Sequence, residues 1–345
     1  MNSSTKKLKI LHVHDVAFVA STLVSGLQEI GVDAELYEFL NFKKLHLPRI
    51  LGLLVTLFLR FYEIFRLNRY LRKEKFDIVH VHYGSFAYLA FINRVPYFLH
   101  IHGTDVRTYI HWPILGNIIR HGINKARVVF YTTPDLKALV NPFRQDATFF
   151  PNSINTEIFK PIVGKNLTCD LTIFNINKLD RFKGVDQVLR GIELLWEQAP
   201  HVRVIMFEFG NATEEAREFL EKYRNNSRLS LISRVSHEKM VSLINETSLI
   251  LGSMGTGILT CSELEAMACA KPVICKFKYS DMYPTPPPIY NAESPEEIRD
   301  HILHILNNPE QARQIGIEAR QWIMKYYDNR IIAQKLLEIY RDYCD

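Results

Sequence analysis

Short apolar runs alternate with segments of helical period along almost the whole chain, and this alternation most constrains the fold. Residues 8–13 read as a buried strand. Residues 19–30 read as a helix with Leu23, Leu27 and Ile30 on one face and Gly31 as its C-cap, and residues 34–39 as a second strand. Parallel neighbours need a crossover connection, so a β-α-β opening of this kind points to a doubly wound sheet. Further strands are expected at residues 77–81, 97–100, 128–132 and 148–150. The alternation then resumes, with strands at 170–175, 203–207, 229–233 and 249–252. Helices are expected at 185–198, 213–224, 237–245, 295–306, 309–326 and 331–343. Residues 281–289, with four prolines, read as a surface loop.

At 345 residues the chain is long for one core, and two domains are expected. The proline-bracketed stretch from Pro151 to Pro161 reads as the linker between halves 1–155 and 156–345, which are expected to leave a cleft between them. Five scattered cysteines without a C-x-x-C pair suggest neither a disulfide framework nor a zinc site. The polar start, Met1 to Lys9, does not read as a signal peptide, so a reducing, cytoplasmic setting is expected and sequons such as Asn166 and Asn211 carry no meaning.

The net charge of +5 is unevenly spread. Residues 1–155 hold 19 Lys and Arg against 11 Asp and Glu, and the remainder 23 against 26. The basic half points to an anionic partner: phosphorylated lipid, membrane surface or nucleic acid. Within it, residues 50–59 hold no charge and are flanked by Lys43, Lys44, Arg49, Arg60, Arg66, Arg69, Arg72, Lys73 and Lys75. A span of the bilayer needs roughly twenty apolar residues, so this is no transmembrane helix. It reads either as a crossover helix packed on the sheet or as an amphipathic helix on an anionic membrane, with the basic cluster favouring the membrane.

Residues 252–276 start loose, with Gly252, Gly255 and Gly257, then turn helical and stop at Lys271-Pro272 before the apolar Val273-Ile274-Cys275. Thr260 with Glu263 three residues on is a capping-box pattern, which sets the helix start near Cys261. A glycine-rich turn entering a helix N-terminus suits a phosphate, and acidic side chains one turn in suit sugar or ribose hydroxyls. An ordinary turn before a packed helix reads equally well from this stretch alone. Lys178, Arg181 and Lys183 occupy a second loop of the same half, also after a strand, and could neutralise a diphosphate. Two such loops at strand C-termini favour a nucleotide site. No G-x-x-x-x-G-K-[ST] or strand-linked G-x-G-x-x-G is present, against a P-loop ATPase or dinucleotide oxidoreductase. No acidic D-x-D pair suggests a metal, so no metal or other cofactor is expected.

In the first half, histidine-bearing loops follow two strands, at 80–84 and 100–107. His102 is the candidate catalytic histidine, with Gly103 permitting close approach and Asp105 placed to orient the imidazole. No G-x-S-x-G elbow or nearby cysteine makes it part of a hydrolase triad.

Residues 262–274, S-E-L-E-A-M-A-C-A-K-P-V-I, resemble the C-terminal signature of family-4 retaining glycosyltransferases of the GT-B fold. Residues 151–159 resemble their interdomain segment, residues 178–186 their donor-phosphate loop, and residues 102–107, H-G-T-D-V-R, a segment of many members. Four motifs in order span nearly the whole chain. The resemblance implies two Rossmann-like domains, 1–155 for the acceptor and 156–325 for the nucleotide sugar, with helix 326–345 packing back on the first. It implies transfer of a sugar from a nucleotide diphosphate donor with retained configuration and without a metal. Lys178 and Lys183 would hold the diphosphate, Glu265 the ribose, and the backbone of Thr256, Gly257, Ile258 and Leu259 the phosphate and sugar. Arg234 and Val235 would line the base, and His102 would contact the transferred sugar. Gly257 stands where the family usually has glutamate and Lys178 where it has arginine; Glu263 is a partial substitute for the missing glutamate.

The expected enzyme is a cytoplasmic, peripherally membrane-bound hexosyltransferase acting on a lipid-linked or phospholipid acceptor, with no nucleic-acid partner. A nucleotide-sugar epimerase of the same fold and a non-catalytic membrane-associated relative are the alternatives.

Overall fold

The computed structural model describes residues 7–39, 49–162 and 171–344. Lys43, Lys44, Asn166 and Cys169 lie outside the described residues. The chain divides into two compact units, Met1–Ser153 with Asn329–Asp345, and Ile154–Asp328.

The first unit is built on six parallel strands: β1 (Lys9–Val13), β2 (Asp33–Tyr37), β3 (Ile78–His82), β4 (Phe98–Ile101), β5 (Val128–Tyr131) and β6 (Thr148–Phe149). Their order is β2-β1-β3-β4-β5-β6. The connecting helices are α1 (Val19–Glu29), α2 (Arg49–Glu74), α3 (Tyr88–Ile92), α4 (Thr104–Arg107), α5 (Pro113–Lys125) and α6 (Lys137–Val140). α2 is the crossover that carries the chain past β1 from β2 at the edge to β3, as parallel pairing requires. α5 has no counterpart in the sequence reading. Gly116 and Gly122 lower its helical propensity and stand on its buried face beside Ile119 and Ile123, which interrupts the apolar stripe.

The second unit repeats the plan with β7 (Thr172–Asn175), β8 (Arg203–Phe207), β9 (Leu229–Ile232), β10 (Leu249–Leu251), β11 (Val273–Cys275) and β12 (Tyr290–Asn291), in the order β12-β11-β10-β7-β8-β9. Its helices are α7 (Val185–Gln198), α8 (Glu214–Tyr223), α9 (His237–Glu246), α10 (Cys261–Ala268), α11 (Pro295–Asn307) and α12 (Pro309–Tyr326). The sheet is covered on both faces. Ile173, Val204 and Leu251 join α7 and α11 in one core, while Phe174, Ile250 and Cys275 join α10 and α12 in another. That double coverage explains why the strands read as unbroken apolar runs rather than alternating ones.

The last helix, α13 (Asn329–Cys344), belongs to the first unit, where it lies against α1 and buries Ile332, Leu336, Leu337 and Tyr340. Two doubly wound parallel sheets and a returning terminal helix match the fold expected from the sequence.

Candidate functional site

In the second sheet the strand order reverses between β7 and β10, which are hydrogen-bonded neighbours. Ligands of open α/β sheets sit outside the carboxyl ends of strands at such a switch point. The two loops leaving it are the basic one before α7 and the glycine-rich one before α10. They are in direct contact. The Met254 N–H donates to the Lys183 carbonyl at 2.9 Å. A Cβ on Gly255 would stand 2.2 Å from the Phe182 carbonyl oxygen, and one on Gly184 would stand 2.6 Å from the Gly255 nitrogen. Only glycines allow this approach.

Past that contact the Gly257 carbonyl accepts from the Lys278 N–H at 3.0 Å. The N–H groups of Gly255, Thr256, Gly257, Ile258 and Leu259 find no acceptor among the described residues. Ile258 and Leu259 bury their side chains, so their peptide edges are held in place. A run of unpaired N–H groups ahead of a helix is an anion cradle. Lys183 is half-buried beside it and Arg181 is exposed. Lys178 is half exposed and ion-paired to Asp180 at 2.9 Å. Burial works against the Asp180 charge, yet the Lys178 ammonium and the Phe182 N–H hold its carboxyl below the usual range. Lys178 is therefore partly neutralised, and the Lys183 charge also bears on Asp180.

Glu263 corrects the sequence reading, which puts it among the donor contacts: its side chain is fully buried and saturated. One oxygen accepts from the Ser253 N–H at 2.7 Å and Asn177 Nδ2 at 2.9 Å; the other accepts from the Thr260 N–H at 2.8 Å and the Thr260 hydroxyl. It closes the capping box of α10 and ties the glycine-rich loop to that helix, with no lone pair left for a sugar. Glu265, two residues on, faces another way. Its Oε1 meets His237 Nε2, from the first turn of α9, at 3.2 Å. Burial lifts its carboxyl above the ordinary range, opposed by the His237 contact. His237 has no place in the sequence reading, and nothing near it in the chain announces the pairing.

Gly257 has φ +69°, and a Cβ there would lie 2.9 Å from Lys278 Cγ. The family's glutamate would be strained in this backbone, and the Lys278 stem lies against the vacant position. Arg234 is exposed, its guanidinium 5.1 Å from the Phe209 ring, and Val235 beside it is half-buried.

In the first unit, His-x-His spacing occurs on three neighbouring strands. Register sets His12 beside His80 and His82 beside His100. With the period of two along each strand, His12, His80, His82, His100 and His102 form one stacked array, neighbouring ring centroids 4.7–5.4 Å apart. The spacing is visible in the sequence; the register is not. Asp105 is a second correction. It does not touch the His102 ring; its carboxylate accepts the Gly84, His102 and Val106 N–H groups and so braces the loop backbone. Burial raises its pKa against those bonds. His102 instead meets His82 through Nε2, at 3.1 Å from His82 Nδ1.

The basic cluster on and after α2 divides. Arg60 lies 5.1 Å from both the Phe39 and Phe86 rings, and Arg66 pairs with buried Glu63 at 3.0 Å, so these two serve the fold rather than an outer face. Arg69, Arg72, Lys73 and Lys75 are the members left to face outward, with Lys73 78% exposed. No helix among the described residues is long and apolar enough to cross a membrane.

Two parallel Rossmann-like sheets with their flanking helices define the GT-B class of glycosyltransferases. The chain belongs to glycosyltransferase family 4: residues 12–158 match the model "Glycosyltransferase Family 4" and residues 159–322 the model "Glycosyl transferases group 1". It is similar to a component of the phosphatidylinositol N-acetylglucosaminyltransferase of Arabidopsis thaliana, 25% identical over 58% of this chain and 47% of the relative. It is also similar to the gpi3 component of that transferase in Schizosaccharomyces pombe, 27% identical over 63% and 49%. The chain thus spans about half the length of the curated relatives it matches. Among solved structures it shares its fold with sucrose-phosphate synthase of Thermosynechococcus elongatus (TM-score 0.73, 15% identity, 97% and 99% covered). It shares it also with HepE of Anabaena (TM-score 0.69, 14% identity, 96% and 99% covered).

Proposed function

We propose that this glycosyltransferase moves a hexose from a nucleotide diphosphate donor, with retention of configuration, to a phospholipid or lipid-linked acceptor at an anionic membrane surface. The observation that carries the donor reading is the run of five unpaired backbone N–H groups packed against the Lys183 loop at the switch point. The leaving diphosphate gains charge as the glycosidic bond breaks. Fixed N–H dipoles, the Lys183 ammonium and Lys178 stabilise it most in that state. Glu265, held by His237, accepts from ribose hydroxyls, Arg234 and Val235 line the base, and His102 contacts the transferred sugar. Main-chain donors and lysines suffice for the diphosphate, so the reading includes no metal.

The relatives supply the first substrates to try. HepE was solved with UDP and glucose, and the two curated relatives are by name parts of phosphatidylinositol N-acetylglucosaminyltransferases. Thermal unfolding of the chain with UDP-N-acetylglucosamine or UDP-glucose is expected to shift upward, by about 2.7 kcal/mol of stabilisation at a hundredfold excess over Kd. Release of UDP is expected only when phosphatidylinositol vesicles are added. No shift with UDP-, GDP- or ADP-sugars sinks the donor reading, and release without an acceptor sinks transfer. Gly257 favours a second reading, a non-catalytic relative, for which the same assay gives neither binding nor release.

The membrane reading rests on the outer face of α2. Phe58, Phe61, Tyr62 and Phe65 recur at the spacing of one helical face and are 70, 64, 47 and 74% exposed, with the four outward basic residues following. Aromatic rings beside Lys and Arg suit a headgroup boundary. Flotation with vesicles containing phosphatidylserine is expected to carry the chain. Neutralising Arg69, Arg72, Lys73 and Lys75 should weaken binding by about 1 kcal/mol per charge. Equal flotation of that variant, or none by the unaltered chain, counts against the membrane.

A further inference from the structure

The histidine array in the first unit is joined by hydrogen bonds in a fixed sequence. His80 Nδ1 meets the Tyr340 hydroxyl at 2.5 Å, and that hydroxyl lies 3.4 Å from His12 Nε2. His12 Nδ1 meets His82 Nε2 at 2.9 Å, and His82 Nδ1 meets His102 Nε2 at 3.1 Å. Both nitrogens of His12 and of His82 are therefore used. Burial pulls these imidazoles below the ordinary histidine range, to about 3 for His12, so the rings are neutral at pH 7.

A neutral imidazole has one N–H and one bare nitrogen. Every bond in the chain needs one of each, and a Tyr340 hydroxyl that accepted from both rings would leave its own buried O–H orphaned, so two patterns use every hydroxyl and ring nitrogen along the chain, and they run in opposite directions. They differ at the buried end, where His80 Nε2 has no partner. In one pattern that atom is an orphaned N–H; in the other it is a bare lone pair. Orphaned buried N–H groups are the rarer. His100 shows the same outcome: its Nε2 must donate to the Phe150 carbonyl at 3.1 Å, leaving buried Nδ1 bare and unpartnered. With His80 Nε2 bare, His80 donates to Tyr340, Tyr340 to His12, His12 to His82, and His82 to His102 Nε2.

We propose that this relay fixes His102 as the neutral tautomer with its proton on Nδ1, which makes His82 a positioning residue for His102. The Nδ1 of His102 bonds nothing among the described residues and is not sealed from solvent as the two orphaned atoms are. His102 then meets a ligand as a donor only and selects an oxygen with a free lone pair. The same rings form two trios with nitrogens within 4.8 Å of one another. A divalent ion there would break the bonds that join them and bring two charges into a dry interior, so the relay is the better account.

The use of the proton rests on the sugar contact proposed for His102, but the relay can be read without any sugar transfer. Two-bond 15N–1H spectra of the full 15N-labelled chain at pH 7.5 distinguish the tautomers, with His102 assigned by its loss in His102→Ala. The expected result is Nδ1–H for His102. In His82→Phe, which keeps an aromatic ring in the array, His102 is expected to revert to Nε2–H, the tautomer unconstrained imidazoles favour. Tyr340→Phe is expected to leave Nδ1–H in place, because a bare His12 Nε2 still ends the chain. A charged or Nε2–H His102 in the unaltered protein overturns the proposal, and so does a His82→Phe spectrum unchanged at His102. Should His82→Phe not fold, His82→Leu and the unaltered spectrum still decide.

Discussion

Replacing Lys183 by alanine is expected to lower donor turnover by about 10²–10³-fold, the loss typical when one preorganised group is removed from a developing negative charge. The fold should barely register the change. On the main chain, the Lys183 N–H donates to the Asp180 carbonyl at 2.9 Å, and its carbonyl accepts from Met254. Both bonds survive in alanine. Lys183→Ala should therefore melt within a few degrees of the unaltered chain while UDP release nearly vanishes. Lys183→Arg keeps the charge and should recover part of the rate. Turnover unchanged in Lys183→Ala would remove this loop from the donor site.

The second large effect is expected from Gly255→Ala. The added methyl would stand 2.2 Å from the Phe182 carbonyl oxygen and 2.8 Å from the Gly184 nitrogen, so the two loops must part. Overpacking of this kind costs about 1–3 kcal/mol. In a unit of this size each kcal/mol lowers Tm by about 2–4 °C. Affinity should suffer more than stability. Displaced N–H groups lose charge-assisted bonds of about 1.5–3 kcal/mol each, or roughly tenfold or more in Kd per bond. Calorimetric titration with UDP reads this directly, and unchanged UDP affinity would show that the loop contact does not build the cradle.

Much of this is legible in the chain because its signals are local. The capping box at Thr260 and Glu263 marks the start of α10 correctly, and buried parallel strands announce themselves as apolar runs. What stays hidden depends on partners distant in sequence. Glu263 looks like a sugar contact until Asn177 and Ser253 are seen to saturate it. Asp105 sits three residues from His102, yet it binds the backbone while the ring partner comes from β3. Arg60 and Arg66 read as members of a basic surface, and only Glu63 and the rings of Phe39 and Phe86 show them turned toward protein. Spacing reveals which residues share an element. Which face an element presents, and to what, is decided by the register of strands tens of residues apart.

The first unit is discontinuous, and this bears on how the chain comes to be folded during synthesis. Residues 7–153 emerge first, but the surface of α1 that α13 covers stays bare, and His80 and His12 lack the Tyr340 hydroxyl, until residues 329–344 have been made. The second unit is contiguous and can close while the first still waits. Vectorial synthesis thus favours completing the units in the reverse of their order in the sequence, with the α1 face exposed to chaperones in the interval.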